Sequence, residues 1–306
     1  MFAEDRILEG ALDLHAHGSP EYTLARRPRV DNDEWARLAI AAGMRGFVVK
    51  SHVWPTTGVV EMLKARRPQL EIFSSITLNP PVGGFDPVAV EIAAQMGARV
   101  VWMPTWSARH DPVTHSITLD RMKAVISTLD VERALHEDSL TILDEEGRLL
   151  PSVGRVLEVC ARYGMTVASG HLPIASSLVL AQACAEAGVR FVLTHANSAS
   201  VGASFDQQRA IARTGGFIEH VIVSCMPMHG RGDPRAIADS IREVGAEHCV
   251  MASDAGEAWN PPAPELLRMF IGSMLALGIP DDAVHLMTHD NPARALGLTT
   301  DWTRYE

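Results

Sequence analysis

Two histidines stand two residues apart at the end of a short apolar run, ALDLHAH (11–17), and the same habit recurs along the chain. Lys50-Ser51-His52 ends GFVVKSH, His171 ends MTVASGH and His195 ends VRFVLTH. Glu219-His220 lies inside FIEHVIV, and Asp254 ends HCVMASD. Side chains two apart on a strand share a face, so His15 and His17 can point together. Neutral imidazoles joined by a carboxylate suit Zn²⁺, with Mn²⁺ or Fe²⁺ as alternatives. Taken singly, each residue has an ordinary explanation: a strand-end histidine can be a core partner, and Asp254 can cap the following helix. Together, His15, His17, His171, His195 and Asp254 share a register that structural histidines have no reason to choose.

The elements that must carry these residues alternate from end to end. Val- and Ile-rich runs at 11–17, 46–52, 70–79, 98–105, 165–171, 189–195, 217–223 and 248–254 read as buried strands. An amphipathic helical pattern follows each, from DEWARLAIAAG after the first to PELLRMFIGSMLALG after the last. Eight such units predict a parallel sheet closed into a (β/α)₈ barrel of the TIM type, whose active site lies at the C-terminal strand ends. A doubly wound open sheet is the alternative, weakened because no Gly-x-Gly-x-x-Gly follows the first strand. The rhythm breaks after strand four, where an insertion over about 106–148 carries Trp106, His110, His115, His136 and one helical stretch, LDRMKAVIST. Residues 106–118 are a candidate lid. No linker divides the chain, so residues 1–306 read as one barrel domain.

Composition narrows the function classes. A net charge of −10 argues against nucleic acid or an anionic membrane as the partner. The N-terminal MFAEDRILEG lacks the basic and apolar regions of a signal peptide, and no apolar run is long enough for a membrane span. The expectation is a cytoplasmic protein acting on a small molecule, with self-association into a homo-oligomer left open. The four cysteines are scattered and form neither a disulfide framework nor a metal cluster. Lysine is rare: only Lys50, Lys64 and Lys123 among 27 basic residues.

This constellation resembles the amidohydrolase superfamily. His15-x-His17 after strand one, His171 after strand five, His195 after strand six and Asp254 after strand eight match its ligand positions one by one. The closing NPARALGL (291–298) is similar to the Asn-Pro-Ala helix of many members. Binuclear members place a bridging lysine or glutamate after strand four. Here that strand ends in Trp102-Met103-Pro104-Thr105, which implies either one ion or two ions bridged by Lys50 from strand two.

The resemblance implies metal-assisted attack of water, with Asp254 taking the proton and His195 either ligating or stabilising developing charge. Lys50 joins these as a catalytic candidate. His52, Trp102, Arg26 and Glu219 are expected on the substrate side, where Arg26 with Arg27 and Arg29 could grip a carboxylate or phosphate. Trp54, Trp102 and Trp106 could form an aromatic wall. The favoured activity is hydrolysis of a C–N or ester bond, such as an amide or lactone. A non-hydrolytic decarboxylase is the alternative, and a catalytically silent small-molecule-binding barrel is the third reading.

Overall fold

The eight apolar runs form one parallel sheet whose strands follow chain order in a computed structural model that describes residues 2–24, 27–110, 123–126, 130, 133, 137 and 139–302. The strands are β1 (Leu12–His17), β2 (Gly46–Lys50), β3 (Glu71–Thr77), β4 (Ala98–Trp102), β5 (Thr166–Ala168), β6 (Arg190–Leu193), β7 (Phe217–Val221) and β8 (Cys249–Ala252). The sheet returns on itself at the top. His17 N–H donates to Ala255 O, and Asp254 N–H donates to His15 O, both at 2.6 Å. These bonds seat the end of β8 beside β1, which is the closure that a (β/α)₈ barrel requires.

Helices α2 (Asn32–Ala41), α3 (Thr57–Arg66), α4 (Pro87–Gln95), α5 (Pro151–Tyr163), α6 (Ile174–Glu186), α7 (Phe205–Arg213), α8 (Pro234–Val244) and α9 (Ala263–Ala276) follow the strands in turn. Their starts are chemically marked. Asp31 caps α2 by accepting from Glu34 N–H, and Ser204 with Gln207 forms a capping box at α7. Helices α1 (Ala3–Leu8) and α10 (Asp281–Thr288) had no counterpart in the sequence reading. The NPARALGL stretch contributes α11 (Asp290–Ala295) and plugs the barrel floor. Asn291 Nδ2 donates to Cys249 O at the start of β8 (2.8 Å), and Ala293, Ala295 and Leu296 pack on Leu12 and Val250.

Two apolar layers result. Leu12, Leu14, Val48, Val100, Trp102, Val192 and Val250 fill the barrel interior, while Phe47, Val49, Ile218 and Met251 face the helices. Strict alternation would then turn His15 and His17 away from the axis, opposite to Leu12 and Leu14. The register of β1 against β2 shifts by one residue between Asp13 and Ala16, so one extra residue in β1 re-aims the strand end. Beyond this bulge His17 pairs with Lys50.

The ends of the expected insertion meet: Leu140 N–H donates to Ser107 O and Arg109 N–H to Leu140 O. Ile126 packs with Trp106, Tyr22 and Val53 above the barrel mouth. Arg26, His115, His136 and most of LDRMKAVIST lie outside the described residues. Among the described residues no helix is long and apolar enough to cross a membrane.

Candidate metal centre

Three donor atoms converge where β1 and β8 meet. Asp254 Oδ1 lies 3.0 Å from His15 Nε2 and 3.1 Å from His17 Nε2. His15 is wholly buried, and its Nδ1–H donates to Glu219 Oε2 at 3.0 Å. That oxygen also accepts from His195 N–H at 3.0 Å, so it must act as an acceptor. The bond therefore makes Nδ1 a donor and turns the Nε2 edge of the ring toward Asp254. Asp13, also buried, accepts from the backbone N–H groups of His15 and Ser253, pinning the β1 bulge to β8.

Backbone strain marks the same positions. Asp254 has φ +52° and His195 has φ +32°, left-handed values that cost a non-glycine residue free energy. Each lies two residues past a strand end, after Leu193 of β6 and Ala252 of β8. Gly256 allows the loop after β8 to pass close: a Cβ there would stand 2.7 Å from His17 Cβ.

Lys50 is the other occupant of the centre. Its side chain is buried, with Nζ 2.8 Å from His15 Nε2 and 4.6 Å above the Trp102 ring. Trp102 is itself buried, its ring centroid 4.5 Å from that of His15, so it forms a wall beneath the centre. Burial lowers the Lys50 pKa against the pull of Asp254 and Glu219. Burial would also depress His15, but Asp254 and Glu219 outweigh it and lift that imidazole to about 9. Burial opposes ionisation of Asp254, yet His15 and His17 hold its carboxyl well below the usual range.

The remaining predicted residues stand around this centre. His171 follows Gly170, whose N–H donates to Thr194 Oγ1, and its ring centroid lies 5.0 Å from that of His195. His195 Nδ1 is bonded to Ser198 Oγ at 2.9 Å, and its ring centroid is 6.2 Å from that of His15. Burial and neighbouring His171 keep His195 neutral, well below the ordinary histidine pKa. The structure thus gathers His15, His17 and Asp254 into one potential ligand group, with their donor atoms within 4.8 Å. The His171–His195 pair stands beside that group. Glu219 sits behind His15 within the barrel, while His220, the next residue along β7, turns outward into a buried site where neither ring nitrogen has a partner.

Sequence reasoning passed over Glu21. It lies four residues after His17, and its Oε1 accepts from His52 N–H at 2.7 Å. His52 in turn bonds Thr105 Oγ1 through Nδ1 at 2.8 Å. The signal was present as a carboxylate one turn beyond the His-x-His motif, but a loop gives no period by which to place it. Glu21, His17 and His52 line a cavity of about 120 Å³ together with Arg27, Val125, Glu257 and Trp259.

The donor set fits a divalent transition metal: two imidazoles and a carboxylate, one imidazole oriented by a second carboxylate, in a buried site. Residues 10–219 match the family described as "Family of unknown function (DUF6282)". The chain belongs to this family. No curated protein matches the chain in sequence. Among solved structures, this DUF6282 chain is similar to an amidohydrolase from Pseudomonas aeruginosa, with 12% identity and a TM-score of 0.58 over 96% of this chain and 97% of that one. It is also similar to an organophosphorus hydrolase from Deinococcus radiodurans (14% identity, TM-score 0.58, 94% and 92% covered). A third match is a 2,6-dihydroxybenzoate decarboxylase from Rhizobium (12% identity, TM-score 0.52, 94% and 99% covered). The fold is therefore that of the amidohydrolase-type barrels.

Proposed function

We propose that this chain is a metal-dependent enzyme of the amidohydrolase type that cleaves a C–N or ester bond of a small molecule. The observation that carries this reading is the approach of His15 Nε2 and His17 Nε2 to Asp254 Oδ1 within 3.1 Å at the closure of the barrel. Similarity in fold to two hydrolases and a decarboxylase supports the same class. His15, His17 and Asp254 would hold the ion, Zn²⁺ being the best match to two imidazoles and a carboxylate. When bound, such an ion activates water and polarises a carbonyl.

The residues around it have distinct tasks. Glu219 orients His15 through the Nδ1–H bond. Asp254, already ionised through its two histidine partners, is the proton acceptor closest to the centre. His195, neutral and turned toward His171, can donate a hydrogen bond to charge that develops on the substrate. Lys50 and Trp102 close the inner side, so substrate enters from the cavity bordered by Arg27 and Trp259. The arginine cluster after β1 and this small cavity favour a compact substrate bearing a carboxylate or phosphate group.

Metal analysis followed by a screen of amides, lactones and carbamates tests the reading. Turnover that depends on the reloaded ion and incorporates solvent oxygen into product supports hydrolysis. Release of CO₂ without solvent oxygen would establish the decarboxylase alternative.

A further inference from the structure

We infer that the outer edge of His17 carries a second divalent-cation site, formed by His17 Nδ1, the Glu21 carboxylate and the His52 imidazole. This rests on the reading of His15, His17 and Asp254 as the inner site. The ligand atoms of the three outer residues lie within 4.8 Å of one another.

The loop geometry holds them apart rather than bonded together. Glu21 Oε1 is 3.9 Å from His17 Nδ1, beyond hydrogen-bond range. An ion about 2.0–2.2 Å from each ligand atom spans such a gap. His17 Nδ1 and Glu21 Oε2 are both buried without a hydrogen-bond partner, an arrangement that costs free energy. The His17 side chain is only 9% exposed. Its Nε2 is bonded to Asp254, which leaves the Nδ1 edge of the ring on the Glu21 side.

The other two ligands are braced from behind. Glu21 is anchored by the His52 N–H, and His52 is anchored through Nδ1 by Thr105, leaving His52 Nε2 as its free coordinating edge. Asn79 fixes Thr105 in turn, accepting from Thr105 N–H and donating to Thr105 Oγ1. Tyr22 stacks on the His52 ring with centroids 5.3 Å apart. All three ligands border the cavity, so the remaining coordination positions of an outer ion face an entering small molecule. With both sites filled, each ring nitrogen of His17 ligates one ion and the ring proton passes to solvent.

Equilibrium dialysis of metal-free protein against Zn²⁺, with elemental analysis of the bound ion, tests this. Wild type should bind two equivalents. Glu21→Gln retains an acceptor for the His52 N–H but not the anionic ligand, and it should bind one, as should His52→Asn. Circular dichroism would confirm that these variants stay folded. Asp254→Asn should lose the inner ion and keep the outer one. One equivalent in wild type that Asp254→Asn abolishes would overturn the outer site and leave the inner reading standing. One equivalent that Asp254→Asn retains and Glu21→Gln abolishes would do the reverse. Two equivalents in both wild type and Glu21→Gln would also overturn the outer site.

Discussion

Lys50 poses the sharpest question at the scale of single residues, because its Nζ stands 2.8 Å from the nitrogen that would ligate the inner ion. An ammonium there repels a divalent cation, whereas a neutral amine or a carbamate does not. Burial already favours loss of the lysine proton. Arginine stays charged at every accessible pH and cannot form the carbamate. Lys50→Arg should therefore weaken Zn²⁺ binding at least about tenfold near neutral pH, read by competition with a chromogenic chelator. Unchanged affinity would separate Lys50 from the centre. This residue was legible in the sequence because a chain that strongly prefers arginine keeps lysine at a strand end. Glu21 was not, since its place depends on how an irregular loop folds back to His52. The part played by Glu219 was likewise hidden: the sequence put it on the substrate side, and its bond to His15 became visible only with β7 facing β1.

At the level of elements, the alternation of apolar runs and helical patterns was enough to order all eight strands, because buried parallel strands read as short continuous apolar runs and their covering helices as longer amphipathic stretches. The bulge in β1 was not legible. Period-two alternation puts Leu12 and Leu14 on one face and His15 and His17 on the other, and only the register against β2 shows both sets turned inward. The loops that finish the site depend on similarly local features. At Gly256 an added Cβ would meet His17 Cβ at 2.7 Å, so Gly256→Ala must displace the β8 loop or the ring. We expect this variant to fold and to lose metal affinity at least about tenfold, since the clash falls on a residue of the proposed metal site rather than on the core. Isothermal titration with Zn²⁺ would check it, and wild-type affinity would show that the loop yields without moving His17.

Across the whole molecule, the closing contacts between chain ends set the response to acid. His289 Nε2–H donates to Ile7 O at 2.7 Å, joining α1 to the C-terminal region, and its ring stacks on His285 with centroids 3.8 Å apart. Burial pushes the His289 pKa down from 6.5 to about 4. Between those values the unfolded chain binds a proton that the folded chain does not. Stability from this group is therefore intact above about pH 6.5 and declines as pH falls toward 4, by roughly 3 kcal/mol in full. His220, held at about 3 by burial, has the same sign. Asp13, raised by burial to about 6, acts in the opposite direction over part of that range. His289→Gln can keep a donor for Ile7 O without the titration. Its Tm should fall less than that of wild type between pH 7 and 4.5, and equal slopes would remove His289 from the acid response.

On the proposed reading, the closure of the barrel, where β1 meets β8, holds the metal. Elemental analysis of protein stripped of metal and reloaded with Zn²⁺ tests it directly, with the double variant His15→Ala/His17→Ala beside wild type. The geometry predicts that wild type takes up at least one equivalent and that the folded double variant takes up almost none, since it lacks both imidazoles that face Asp254 and the one shared with Glu21. A folded double variant that retains the full wild-type metal content would place the metal elsewhere.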